Sequence, residues 1–341
     1  MMFKQKNRLG VLSFLLVLTL ILSACSSGKG EAGSVGKPTT LTFAYELPEA
    51  HPWGVGAAEF KKIVEEKTNG DIKIELYGNG SLAGSGREIQ EGAKIGTIDI
   101  GISSTPMAQL NQYQDIFSLP YIFSSREEAW KVLDGPVGDR VGKKLSEHNL
   151  VHLAYWEDGF RQITNDKHPI DSLEDFKGLR IRVPESDVRI ETFKSLGASP
   201  LPMAWSEVFT ALQQGTIEGQ ENPLSVVSSS SFYDVQKYLT ISNHVYSPAT
   251  LFINQNKWDA LSEEQQKIII EAANAGRDIN RKLNKEQDAE MVKDLEEKGM
   301  EVTVLEDVQP FREATKSVWD NVGKSIGGDA QEIIDEITSS Q

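Results

Sequence analysis

Hydrophobic and polar positions alternate with period two at Thr40–Tyr45 and again at Asp71–Tyr77, where Ile72, Ile74 and Leu76 share one face. Such alternation predicts strands with one buried side. Between them, Trp53–Lys67 places its apolar residues at helical spacing and stops at Asn69-Gly70, a helix-ending pair. After the Gly-rich loop Gly78–Gly86, Arg87–Ile95 reads as a helix and Ile98–Ile102 as a strand. This β-α-β-α-β order predicts an open, mostly parallel sheet covered by helices. Helices are expected at Ser125–Leu133 and about Val137–His148, and a strand at Leu150–Trp156. A second α/β series starts near Phe160, with strands at Phe160–Thr164, Leu179–Val183 and Ser199–Leu201. Its helical segments are a short turn from Ser172 to Phe176, then Val188–Leu196 and Ser206–Gln214.

Beyond Leu261 the theme changes. Ser262 with Gln265 forms a capping box, and only Gly276 interrupts the helical pattern before Gly299. A helix of that length measures roughly 50 Å, more than the ~30 Å width of a small domain. Its apolar positions keep no strict heptad, which favours a spine shared by two domains over a coiled-coil arm. Val302–Leu305 then reads as a strand, and Phe311–Ile326 and Ala330–Ile337 as helices packing back.

A length of 341 residues fits about two domains. The net charge of −15 removes the basic footprint that holds phosphate backbones, so nucleic acid is excluded as a partner. The single cysteine, Cys25, excludes a disulfide scaffold and a Cys-rich metal centre. Before it, Lys4, Lys6 and Arg8 precede the apolar run Leu9–Leu22, too short to span a bilayer and ordered like a secretory signal. Leu22-Ser23-Ala24-Cys25 resembles the lipobox of bacterial lipoproteins, which implies cleavage before Cys25 and lipidation of its thiol. Residues 1–24 are thus expected to be a signal peptide and 25–37 a flexible tether, rich in Ser, Gly and charged side chains.

The chemistry of common catalysts is missing. There is no Gly-x-Ser-x-Gly, no His-Glu-x-x-His and no phosphate-loop motif. His148 and His152 have metal-ligand spacing only on one helix, and the apolar run from Leu150 breaks it, so no metal is expected. Gly78-Asn79-Gly80-Ser81-Leu82-Ala83 mimics a dinucleotide fingerprint, but the loop continues past Gly84 before any helix begins, so no cofactor is expected. Arginines are more informative: Arg180 and Arg182 share one strand face, and Arg161 lies on another predicted strand. A guanidinium can grip a carboxylate through two parallel hydrogen bonds.

Four ordered segments give these arginines a context. Asp158-Gly159-Phe160-Arg161, Leu179-Arg180-Ile181-Arg182-Val183-Pro184, Pro202-Met203-Ala204-Trp205 and Gln220-Glu221-Asn222-Pro223 together resemble the extracytoplasmic solute receptors of TRAP transporters, the DctP family. The resemblance runs from about Leu41 to Ile326. It implies an α/β fold, a two-lobed periplasmic-binding-protein-like clamshell (type II-like) with a long helix spanning both lobes. Lobe I is expected over 38–157 plus about 248–285, and lobe II over 158–247 plus about 286–341. The resemblance further implies that Arg182 pairs with the ligand carboxylate, that Arg161 and Asn222 reach the ligand, and that Trp205 packs beside it.

Ile102-Ser103-Ser104-Thr105 lacks the Glu and Arg that sialic-acid receptors of the family carry after this strand. Glu46, His51, Ser104, Trp156 and Glu157 are added as expected ligand contacts, because acids, hydroxyls and an indole beside an arginine suit a ligand with one carboxylate and several hydroxyls. Repulsion by Glu46 or Glu157 is expected to disfavour a second acid group, which ranks hexuronate-like sugar acids ahead of C4-dicarboxylates. The expectation is a monomeric, lipid-anchored, non-enzymatic receptor on the extracytoplasmic side of the cell membrane. It would pass a small organic acid to an integral-membrane TRAP permease; an exported hydrolase is the remote alternative.

Overall fold

The computed structural model describes residues 38–339. The predicted signal peptide, the tether and Cys25 lie outside the described residues. In chain order the elements are β1 (Thr39–Ala44), α1 (Pro52–Lys67), β2 (Ile72–Tyr77), α2 (Gly86–Ile95), β3 (Ile100–Ser103), α3 (Arg126–Leu133), α4 (Pro136–Lys143) and β4 (Leu150–Asn165). There follow β5 (Arg180–Val183), α5 (Asp187–Ser195), β6 (Ser199–Pro202), α6 (Val208–Gln213), β7 (Gly219–Pro223), α7 (Leu224–Ser229), β8 (Tyr238–Ile241) and β9 (Tyr246–Asn254). The chain ends with α8 (Gln255–Asp259), α9 (Glu263–Glu297), β10 (Glu301–Val304), α10 (Gln309–Ile326) and α11 (Ala330–Ser339).

The strands run β2-β1-β3-β9-β4-β7-β5-β6, with β8 on β4 and β10 on β8. The sheet is mixed rather than mostly parallel, because β9 lies antiparallel to β3 and β4, and β4 antiparallel to β7 and β8. The expected strands Leu150–Trp156 and Phe160–Thr164 are one 16-residue strand. Its first part pairs with β9 and its last part with β7 and β8. Pairing continues through a bulge between Glu157 and Gly159, where Gly159 adopts φ +128°, a conformation open mainly to glycine. The expected lobe borders fall inside β4 and β9, where Glu157 faces Pro248 across the ladder. The result is a two-lobed α/β architecture.

The long helix is α9, 35 residues with the Ser262–Gln265 capping box in place. Its N-terminal half packs Ile269, Ala272 and Ala273 with Leu41, Phe43 and Ile74, while Leu295 near its other end joins Val208, Leu212 and Leu239. One helix thereby borders two separate apolar cores. The C-terminal helices pack against both expected lobes: Phe311 joins Phe176, Ile181 and Phe193, whereas Val318, Val322, Ile333 and Ile337 join a core that mixes Ile116, Val137 and Val141 with Phe160, Val188 and Tyr246. Their amphipathic faces read as buried, but nothing local in the sequence says against which core.

Candidate functional site

A cleft of about 490 Å³, its open mouth included, lies between the carboxyl ends of β1 and β3 on one side and β5 and β7 on the other. Arg182, on β5, is 4% exposed and lines it. Its Nε and Nη2 both donate to the Met203 carbonyl at 3.1 and 2.6 Å. This fixes the guanidinium plane and leaves its other donors for the cleft. Arg182 makes no ion pair among the described residues, and burial together with nearby Arg161 lowers its pKa to about 10. Arg180, two residues earlier, has a side chain 46% exposed and binds Glu218 and the Gly215 carbonyl outside the cleft.

Arg161 lines the same cleft with its fork already occupied. Nη1 donates to Asp158 Oδ2 at 2.7 Å, and Nη2 donates to the Glu221 carbonyl and to Asn222 Oδ1 at 2.6 and 2.8 Å. Nε and Nη2 also engage both Glu221 carboxylate oxygens. Behind them Arg189, fully buried on α5, places Nε 3.6 Å from Glu221 and Nη2 2.8 Å from Ser247 Oγ, and His244 Nε2 lies 3.2 Å from Glu221. Burial raises the Glu221 pKa, but Arg161 and Arg189 outweigh it and hold the carboxyl well below its usual range. The acids cancel Arg161 and Arg189, so Arg182 supplies the cleft's uncompensated positive charge.

Facing these groups from the other wall are Glu46, just after β1, and Ser104, just after β3. Ser104 Oγ donates to Asp158 Oδ2 at 3.1 Å, across the cleft. Glu46 Oε2 is buried without a hydrogen-bond partner among the described residues, and desolvation pushes this carboxyl up to about 7. Trp205 lies on the cleft wall against Phe232, ring centres 5.8 Å apart. At the mouth Arg87 Nη1 stands 3.5 Å from Glu185, and Gln109 Nε2 donates to the Glu185 carbonyl at 3.0 Å. The Gly-rich loop resembling a dinucleotide fingerprint ends here instead: Ser85 caps α2, and Ser85 and Gly86 form cleft wall.

The cleft therefore brings together Arg182, Arg161, Asn222, Trp205, Glu46 and Ser104. Three other expected contacts lie elsewhere. His51 is fully buried as the N-cap of α1: Nδ1 accepts from Trp53 N, and Nε2 lies 3.1 Å from Ser225 Oγ. Burial lowers its pKa to about 3, so the neutral ring must carry its hydrogen on Nε2 and donate it to Ser225. Trp156 is wedged between α1 and α9, its Nε1 donating to the Ala273 carbonyl at 2.9 Å. A Cβ on Gly56 or Gly276 would come within 2.6 or 2.5 Å of its ring. Glu157 points away from the cleft and accepts from Arg126 Nε, Trp130 Nε1 and Tyr246 Oη at 2.6, 2.8 and 3.1 Å.

The bulge explains the last correction. In unbroken alternation Glu157 would share the face of Arg161; the extra residue shifts the parity and presents Asp158 instead. Glu157 cannot repel a second acid on the ligand, because it is outside the cleft and neutralised by Arg126. Asp158, Glu221 and Arg189 were not singled out from the sequence. Arg189 had a readable signal: it stands with Phe193 and Leu196 at i, i+4 and i+7 on a predicted helix, where a charge on the apolar stripe implies a buried partner. His148 and His152 sit on separate elements, and no group of three or more metal-ligating side chains occurs among the described residues.

Residues 43–325 match the family described as bacterial extracellular solute-binding protein, family 7. The chain is similar to the 2,3-diketo-L-gulonate-binding periplasmic protein YiaO of Escherichia coli, with 35% identity over 302 residues covering 87% of this chain and 92% of that protein. It is also similar to the C4-dicarboxylate-binding protein DctB of Bacillus subtilis, at 35% identity over 256 residues, 74% of this chain and 73% of that one. The crystal structure of the sugar acid binding protein DctPAm from Advenella mimigardefordensis, in complex with galactonate, superposes with a TM-score of 0.86 at 34% identity, covering 89% of this chain and 99% of that one.

Proposed function

The chain belongs to the bacterial extracellular solute-binding protein family 7, the receptors of TRAP transporters, and from that premise we propose that its cleft captures a sugar acid and hands it to the transporter's membrane permease. The observation that carries this reading is Arg182, buried in the cleft with its fork fixed by the Met203 carbonyl and without an acid partner among the described residues. A buried arginine left unpaired by its own chain is completed by a carboxylate ligand, through charge-assisted hydrogen bonds. Arg161 and Asn222 stiffen the wall beside it, and Trp205 covers an apolar face of the ligand. Glu46 and Ser104 offer hydrogen bonds to hydroxyls.

One uncompensated cation matched to one carboxylate, with hydroxyl-binding groups opposite, favours a hexuronate or a six-carbon aldonate over a dicarboxylate. Relatives named for diketogulonate and galactonate support the sugar-acid class. The relative named for C4-dicarboxylates keeps that class as the competing outcome. Binding is read as closure of the lobes around the ligand, which stabilises the shut state by its differential affinity for it. The receptor works extracytoplasmically as a monomer, without cofactor or catalysis, held to the membrane by a lipid on Cys25. No helix among the described residues is long and apolar enough to cross a membrane.

A thermal-shift screen of uronates, aldonates, dicarboxylates and keto acids tests the reading. Stabilisation by a sugar acid, with that acid recovered unchanged, is expected. Stabilisation by dicarboxylates alone, or conversion of the acid, would contradict it. Cys25→Ser is expected to move the protein out of the membrane fraction; full retention there would refute the anchor.

A further inference from the structure

The cleft contains a carboxyl group that the carboxylate clamp does not use. Glu46 lines it opposite Arg182, and its Oε2 is buried with no hydrogen-bond partner among the described residues. The charged groups facing it come from three directions. From β5, Arg182 favours the ionised form; from β4, Arg161 favours it and Asp158 opposes it. From the start of α2, the Gly86 amide also favours ionisation, while Arg87 at the mouth stands beside Glu185. Desolvation outweighs these and pushes the Glu46 pKa up to about 7 in the empty site.

A bound organic acid changes that balance in one direction. Arg161 is already neutralised by Asp158 and Glu221, so Arg182 is the cation that chiefly supports an ionised Glu46. A ligand carboxylate on Arg182 cancels that support and adds a negative charge nearby, and both effects favour the neutral acid. A neutral carboxyl also gains an O–H, which can donate to a ligand oxygen, whereas a carboxylate can only accept.

We propose that Glu46 enters the ligand complex as the neutral acid, donating its O–H to the bound organic acid, so that the receptor takes up a proton from solvent together with its ligand. The inference rests on the organic-acid reading of the cleft. It makes Glu46 a specificity-determining group: near and below neutral pH it donates to the ligand, and at alkaline pH it repels it. The sign follows from the raised pKa. Affinity is full below about 7 and declines as pH rises through that value, by about tenfold between about pH 6 and about pH 8 if the group is fully protonated in the complex.

The experiment is calorimetric titration of D-galactonate and D-glucuronate into the wild-type protein, near neutral pH, in two buffers of different ionisation enthalpy. Uptake of about half a proton per ligand is expected near pH 7. In Glu46→Gln that uptake and the pH dependence of affinity should both disappear, whatever the variant's absolute affinity. Binding without proton uptake by the wild type overturns the inference. So does uptake that persists in Glu46→Gln, because it would belong to another buried acid, Asp158 in the same cleft or Asp115 in a neighbouring groove.

A ligand-free measurement decides the matter if neither probe binds, an outcome that counts against the choice of ligand and not against Glu46. Infrared difference spectra of the empty protein should show protonated-carboxyl intensity lost between about pH 6 and about pH 8, of which the Glu46 share is present in the wild type and absent from Glu46→Gln, while the share of Asp115 remains in both. Identical spectra for the two proteins overturn the inference.

Discussion

Two buried polar neighbourhoods lie on either side of the bulge in β4, and they differ in completeness rather than in burial. Behind the strand, Glu157 receives hydrogen bonds from Arg126, Trp130 and Tyr246, and Arg126 continues to Asp288 on α9 at 2.6 Å. That cluster ties the strand to α3 and the spine helix and offers nothing to a ligand. In front, Arg182 has only a carbonyl as partner and Glu46 Oε2 has none among the described residues. Buried polar groups in folded proteins are ordinarily satisfied. A cleft where charged groups stay incomplete is therefore where an outside molecule supplies the missing partners.

Substitutions on the two sides should separate stability from binding. The largest effects are expected where the clusters are complete. Glu157→Ala removes the acceptor that Arg126, Trp130 and Tyr246 share, and Arg161→Ala takes the nearest cation from both Asp158 and Glu221; each should lower unfolding free energy by about 3–5 kcal/mol in denaturant titrations. Wild-type stability for either variant would break the contrast. Gly276→Val forces a side chain between Trp156 and the Gly56 backbone, an overpacking worth about 1–3 kcal/mol or more. An unchanged denaturation midpoint would show that the spine does not seat against α1 as described. The smallest effect belongs to Arg180→Ala, which removes an exposed arginine from the same strand as Arg182 and should alter ligand affinity by less than about tenfold, since exposed ion pairs contribute little. Calorimetry showing lost binding for this variant would move the clamp along the strand.

Local signals made much of this legible. Alternation and caps located β1, α1, β2, α2 and the long helix, because each depends on side chains within a few positions of one another. The merging of two expected strands into β4 was not legible, since Gly159 reads locally as a break and only pairing with β9 carries the strand through it. The same bulge misassigned Glu157. His51 and Trp156 stood close in sequence to cleft residues, yet each completes a distant partner, Ser225 and the Ala273 carbonyl. Arg182, Arg161 and Asn222 were legible because they sit in segments resembling the family's motifs. Glu221 and Arg189, which hold Arg161 from behind, come from separate elements that only the tertiary fold brings together.

The central claim is that the incomplete arginine, and not the complete one, holds the ligand's charge. The most direct test is calorimetric titration of the acid selected by the thermal-shift screen into wild type and Arg182→Ala, with unfolding free energies measured alongside. Affinity should fall by about 2–5 kcal/mol, roughly 30-fold to several thousand-fold, because a carboxylate in the closed cleft is left unpaired. Stability should change little, since Arg182 leaves behind only a carbonyl. Wild-type affinity in Arg182→Ala would contradict the account and require the site to be redrawn.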